Sequence, residues 1–294
     1  MSLTRTVNTA AAPGSRETER ARLIEMAKRY VTALASGDPR GLPLAPQFRS
    51  TEDTQTLPVG AGVWRTIRGV RPGGHYFTDP EQGQVEFWGV VDELGEPAIL
   101  ALRLKVEGGR YAEAETIMTR KGAMFDPEMV LEPGESFHRV LAPDERGSRA
   151  ELIETAHRYF DAIELRDGSG VAVAERCRRL VNGAVDSVDA DENLIPGEEH
   201  RGLPVVQQID EGYYAYIEAL RERRFPIVDV ERGLVLCHVI FDHPGDLMRA
   251  DKDLPFKSPN SMPFTEIFKV VAGTIEEVWA LGTAPLPYGI ASGW

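Results

Sequence analysis

The stretch Leu23-Ile24-Glu25-Met26-Ala27-Lys28-Arg29-Tyr30-Val31-Thr32-Ala33-Leu34 places apolar side chains at Leu23, Ile24, Ala27, Tyr30, Val31 and Leu34. That spacing is one stripe of an α-helix. Gly37-Asp38-Pro39 ends it. The same phases return 129 residues later at Leu152, Ile153, Ala156, Tyr159, Phe160 and Ile163, followed by Asp167-Gly168. Six matched phases, with an aromatic at each tyrosine position, exceed what amphipathicity requires and point to a repeat.

Two further blocks agree. Asp79–Val85 resembles Asp229–Val235, and the strand-like runs Phe87–Val91 and Cys237–Phe241 follow them. Arg103–Thr119 then lies over Ile267–Thr283 without a gap, pairing Lys105 with Lys269, Val106 with Val270, Gly109 with Gly273 and Glu113 with Glu277. Each glycine marks a tight turn between strands. Helix, irregular segment and long strands in both halves predict an α+β protein of two domains, each a curved antiparallel sheet covered by helices. The expected organisation is a flexible tail over 1–20, a first domain over 21–123, a Pro- and Gly-bearing linker over 124–147, and a second domain over 148–294. The second domain should add a helix near Val206–Arg221 and an insertion at 244–263, with an apolar C-terminal segment docked on a surface.

Composition narrows the function. The 294 residues carry 33 Lys+Arg against 46 Asp+Glu, a net charge of −13. That balance opposes binding to nucleic acid or to anionic membrane surfaces. No run of about 18 apolar residues exists, residues 1–20 lack an apolar signal core, and two cysteines are too few for a disulfide scaffold. A cytoplasmic protein is the expectation. There is no Gly-x-Ser-x-Gly elbow, no His-Glu-x-x-His helix, no Cys-x-x-Cys pair and no dinucleotide loop. Asp189-x-Asp191-x-Asn193 starts like a calcium loop, but Leu194 and His200 stand where it needs Gly and Glu. Neither metal nor organic cofactor is expected, which leaves proton transfer and elimination.

Several marks are more specific: Arg49-Ser50-Thr51-Glu52-Asp53, Gly60-Ala61-Gly62-Val63-Trp64, Phe264–Val270 and Leu286-Pro287-Tyr288-Gly289 with Ser292-Gly293-Trp294. With the repeat, they resemble a tandem of two NTF2-like (SnoaL-like) domains. They are similar to the group that includes the sphingomonad lignin diarylpropane lyase. The resemblance implies two cone-shaped domains, each open at one end, and sheet-mediated homodimers. It also implies a cofactor-independent carbon–carbon lyase acting on a small aromatic substrate. Such an enzyme converts a phenolic diarylpropane diol through a quinone methide into a stilbene and formaldehyde. Two other readings stand beside it. One is a non-catalytic binding or assembly protein with its domains packed sheet to sheet. The other is a dehydratase or isomerase on another aromatic or polyketide substrate.

Side chains two apart on a strand share a face. Arg103 and Lys105 therefore lie together, opposite Leu102, Leu104 and Val106. Two cations in an apolar strand mark either a solvated face or a site. Under the resemblance, Arg103 and Lys105 stabilise the phenolate inside the cone, Glu52 or Asp53 is the base, and Tyr76 or His75 is the acid. Arg49, Trp64, Phe87, His243, Lys269 and Asn182 are the candidate substrate-binding residues. The second half, with Lys269, Glu266, His243 and Asn182, could hold the site instead. Tyr213, Tyr214, Tyr216 and Trp279 read mostly as core.

Overall fold

Each helical stripe closes one sheet. In the computed structural model, which describes residues 13–122, 124–187, 199–245 and 257–294, α1 (Pro13–Ser36) buries Leu23, Ala27, Tyr30, Val31 and Leu34. They pack on a mixed sheet of β1 (Leu44–Glu52), β2 (Gln55–Thr56), β3 (Ile67–Val70), β4 (His75–Asp79), β5 (Gln84–Glu93), β6 (Glu96–Glu107) and β7 (Arg110–Thr119). The order is β2-β1-β7-β6-β5-β3, with β4 also paired to β5 and β1 parallel to β7. Residues 124–147 carry α2 (Pro127–Val130) and α3 (Glu135–His138).

The second half repeats the plan. α4 (Arg149–Leu165) starts at a capping box, in which the Glu151 N–H donates to Ser148 Oγ at 3.3 Å and the Ser148 N–H to Glu151 Oε2 at 2.7 Å. β8 (Val173–Val181), β9 (Ala184–Val185), α5 (Val205–Asp210), β10 (Ala219–Asp229), β11 (Leu234–His243), β12 (Asn260–Val271), β13 (Thr274–Gly282) and β14 (Leu286–Pro287) follow. The order is β10-β11-β12-β13-β8-β9, β8 is parallel to β13, and β14 pairs with the start of β12. The protein is α+β, with two similar domains, each a mixed sheet covered on one face by helices.

Two expectations change. α1 begins at Pro13, inside the stretch expected to be a flexible tail, because Arg16 and Arg20 anchor it through ion pairs. The helix expected near Val206–Arg221 stops at Asp210. Gly212 turns the chain with a positive φ of 72°, and Ala219–Arg221 join β10 opposite Asp242–Ile240. The Asp189–Asn193 loop, the first 12 residues and most of the 244–263 insertion lie outside the described residues. No helix among the described residues is long and apolar enough to cross a membrane.

The two sheets pack face to face, each on the side away from its long helix. Phe77, Trp88, Ile99 and Ile117 of the first meet Ile227, Leu236, Ile267 and Trp279 of the second, with Val130 and Phe137 from the linker. A pseudo-twofold pair of clamps spans the contact. Arg20 of α1 reaches Asp229 at 2.6 Å, and its repeat partner Arg149 of α4 reaches Asp79. At the centre, His238 Nε2 lies 2.8 Å from Glu86 and its Nδ1 3.1 Å from Glu115. Arg103 and Arg224 also hold Glu115, while Thr265 and Trp88 donate to Glu86. Because the sheet faces cover each other, they are not open to a second copy of the chain.

Burial disfavours a charged His238, but Glu115 and Glu86 outweigh it and raise its pKa above the ordinary value. Its contribution to docking is therefore complete below the ordinary histidine pKa of about 6.5 and disappears as pH rises through the raised value. Thermal unfolding of the wild type should weaken from neutral to alkaline pH. His238→Gln should melt lower at neutral pH and decline less steeply; parallel curves would remove His238 from this role.

Candidate functional site

Alternation along β12 sends Phe264, Glu266 and Phe268 into the second cone and Ile267 toward the first domain. Glu266 is fully buried, and neither carboxyl oxygen has a hydrogen-bond partner among the described residues. Its ladder neighbours are Cys237 and Ala280. Burial pushes the carboxyl up to about 7, with Arg179 pulling the other way.

Arg179 enters from β8, which faces the cone through Cys177 and Val181. Its Nε donates to the Tyr159 hydroxyl at 3.1 Å, its Nη1 pairs with Asp186, and the guanidinium lies 5.0 Å from the centre of the Tyr214 ring. The Tyr214 hydroxyl donates to Gln208 Oε1 at 2.7 Å, and Gln208 Nε2 donates to the Asp186 carbonyl at 2.9 Å. Tyr213, Tyr216, Phe241 and His243 continue the wall, with His243 stacked on Tyr216 at 5.6 Å. Burial holds His243 down at about 4, hence neutral. Burial raises Tyr159, Tyr213 and Tyr214, so these phenols remain protonated donors. It also raises Cys177 to about 12 and Cys237 well above the thiol range, so neither is a nucleophile at neutral pH. A carboxyl that titrates near neutrality beside a fixed guanidinium and a phenol can move a proton and stabilise an oxyanion. No group of three or more His, Cys, Asp or Glu among the described residues is placed to hold a metal ion.

The first cone lacks this constellation. Ile267 aligns with Arg103, so Glu266 falls on Leu102. The equivalent registers Arg49↔Glu113 and Arg178↔Glu277 set Arg179 on Ser50. Tyr30 instead packs edge-on against Trp64 and Tyr111 at 5.3 and 5.2 Å, and Leu100, Leu102 and Leu104 fill the floor.

The sequence-predicted residues scatter. Arg103 and Lys105 do share a face, but it is the one turned away from the first core, where Arg103 meets the interdomain network. Arg103 is neutralised by Glu115 and Glu113 at 2.8 Å each, and Lys105 by Glu107 at 2.9 Å. Arg49 lies outside the cone over the Trp294 ring at 4.5 Å. Glu52 and Asp53 accept the backbone N–H groups of Val63 and Met118 at 2.8 and 2.9 Å, holding loops; burial raises Asp53 to about 6. His75 sits between the domains, 3.0 Å from the Val130 carbonyl, and is held near 4 by burial. Tyr76, Phe87 and Trp64 pack in or against the first core. Asn182 Oδ1 accepts the Gly282 N–H at 2.8 Å. Lys269 donates to the Arg139 and Arg232 carbonyls, and burial lowers it to about 8. Among the residues the sequence singled out, His243 and Glu266 lie in the second cone. Arg179, Tyr159 and Asp186, which meet in the second cone, are not among those candidates. The available signal was Phe264-x-Glu266-x-Phe268, a charge at an inward position of an apolar strand.

A family model described as a domain of unknown function (DUF8021) matches residues 145–282, the span holding this constellation. No curated protein matches the chain. Among solved structures, IdmH from Streptomyces antibioticus, for which a polyketide cyclase activity has been suggested, is 15% identical over 45% of this chain and 91% of its own, with a TM-score of 0.30. AclR from Streptomyces galilaeus, a suggested hydroxylase, is 16% identical over 46% and 80%, with a TM-score of 0.30. AusH from Aspergillus nidulans is 10% identical over 46% and 85%, with a TM-score of 0.29.

A buried carboxyl with a raised pKa penalises folding fully above its folded pKa and not at all below its unfolded one. Glu266→Leu, which installs the first cone's residue, should therefore stabilise the protein by about 3 kcal/mol above neutral pH and progressively less toward acid. Urea unfolding against pH measures this; no alkaline gain would mean Glu266 is compensated.

Proposed function

We propose that the second cone is a cofactor-independent acid–base site for a small aromatic substrate, and that its reaction is deformylating cleavage of a phenolic diarylpropane diol. The observation that carries this reading is Glu266, fully buried with neither oxygen bonded. Near pH 7 such a group is populated in both protonation states and serves as acid in one step and base in the next. Arg179 and Tyr159 offer fixed donors to a phenolate oxygen. Tyr213, Tyr216 and His243 form a wall suited to a flat ring.

In this mechanism, protonated Glu266 gives its proton to the benzylic hydroxyl. That group leaves as water while the phenolate electrons form the quinone methide. The carboxylate then takes the proton of the primary hydroxyl. The carbon–carbon bond breaks, its electron pair restores the aromatic ring, and formaldehyde departs. Stilbene, water and formaldehyde together balance the diol, and Glu266 ends protonated as it began. Arg103 and Lys105 take no part.

With a phenolic diarylpropane diol as substrate, formaldehyde and stilbene should form in equal amounts, with an inflection in rate near pH 7. Glu266→Gln should lower turnover by about 10²–10⁴-fold, while Lys105→Ala keeps full activity. Loss of activity in Lys105→Ala together with retention in Glu266→Gln would return the site to the first half. Turnover without formaldehyde would assign dehydration or isomerisation to the same carboxyl.

A further inference from the structure

An arginine beside a buried, unbonded carboxylate poses a problem, because the nearest stable arrangement is an ion pair between them. Such a pair would lower the carboxyl by about 1–3 pH units and leave it a poor base at neutral pH. The structure holds the two apart. The two-residue turn Asn182-Gly183, with positive φ of 52° and 83°, closes the β8–β9 hairpin. It brings the Asp186 N–H to the Arg179 carbonyl at 2.8 Å. The Asp186 carboxylate is thereby set against Arg179 Nη1 and lies 3.4 Å from Arg201 Nε. Gln208 fixes the Asp186 backbone carbonyl, and Tyr159 takes Arg179 Nε.

We infer that Asp186 is a positioning residue: it anchors Arg179 away from Glu266, so that the guanidinium can face a substrate oxyanion without neutralising the base. This rests on the acid–base reading of the second cone. The repeat supplies an internal control. In the first domain the matching β1–β2 hairpin also turns through two residues of positive φ, Asp53 and Thr54, and the Leu57 N–H meets the Ser50 carbonyl at 3.1 Å. There Ser50, Leu57 and Leu102 stand where the second domain has Arg179, Asp186 and Glu266. Base, cation and counter-charge are absent together, as befits parts of one device.

The groups acting electrostatically on Glu266 among the described residues are few. Arg179 comes from β8, Tyr159 from α4 and Cys237 from β11; β13 offers Ala280. Cys177 of β8 lies beside Tyr159, and Tyr214 and Asp186 beside Arg179. Tyrosine and cysteine stay neutral near pH 7, so Arg179 is the charge that any rearrangement would bring to Glu266.

The test is a carbon-13 NMR titration of the full chain labelled at glutamate carboxyls, with Glu266→Gln assigning the signal. Wild-type Glu266 should titrate near 7. Asp186→Asn should lower that midpoint by about 1–3 pH units, and Asp186→Glu should restore most of it. Tyr159→Phe, nearly isosteric, releases Arg179 Nε and should shift the midpoint the same way by less, which keeps the inference testable if Asp186→Asn does not fold. An unchanged midpoint in the Asp186→Asn variant, or in Tyr159→Phe where that variant fails to fold, would overturn the positioning role. Retained turnover in Glu266→Gln would overturn the catalytic reading separately, leaving the titration result standing.

Discussion

The central strands of both sheets are buried on both faces, and that constraint organises everything else in the molecule. A strand with one wet face can leave its charges in water. β11 is buried along its whole length and β12 along all but its last residue, so each of their charged groups must be compensated by protein or carry the cost of burial. On the interdomain face compensation is thorough. Glu86, Glu115, Arg103, His238 and Arg224 form one network, and Arg20 and Arg149 neutralise Asp229 and Asp79 across the pseudo-twofold axis. Lys269 is solvated by two carbonyls. Inside the second cone the rule is broken once among these groups, at Glu266. An uncompensated group in an otherwise compensated interior is where function is to be sought.

The repeat shows what that exception costs. The first cone solves the same packing problem with Leu102, Ser50 and Leu57 and closes around Tyr30, Trp64 and Tyr111. It is the stable solution. The second cone keeps a carboxyl, a guanidinium and tyrosine hydroxyls in the equivalent space and accepts a penalty that the first half does not bear. The first domain contributes the partner surface, covering the sheet face of the second domain that its helices leave open.

The fold was legible because it rests on periodicity. The stripes Leu23–Leu34 and Leu152–Ile163, the Asp79 and Asp229 turns and the glycine-marked hairpins are local signals, and each became the element it announced. The site was harder to read. Period two says that Arg103 and Lys105 share a face, but with apolar residues on both sides it does not say which face lines the cone. Conspicuous charges drew the reading toward the interdomain face, where they are plentiful because they pair. The charge without a hydrogen-bond partner sits between Phe264 and Phe268. The failed helix at Val206–Arg221 has a related cause: Ile209, Tyr213 and Ile217 keep a helical spacing that Gly212 and the demand of β11 for a partner override.

The central claim is that ligand chemistry belongs to the second cone and not to the first or to the interdomain face. A crystal structure with a phenolic stilbene, the product of the proposed reaction, tests it most directly. The predicted result is a ring against Tyr216 and His243 with its phenolic oxygen on Arg179 and Tyr159 and its central carbons facing Glu266, the first cone remaining packed. A stilbene seated beside Trp64 and Leu102, or against Arg103 and Lys105, would contradict it.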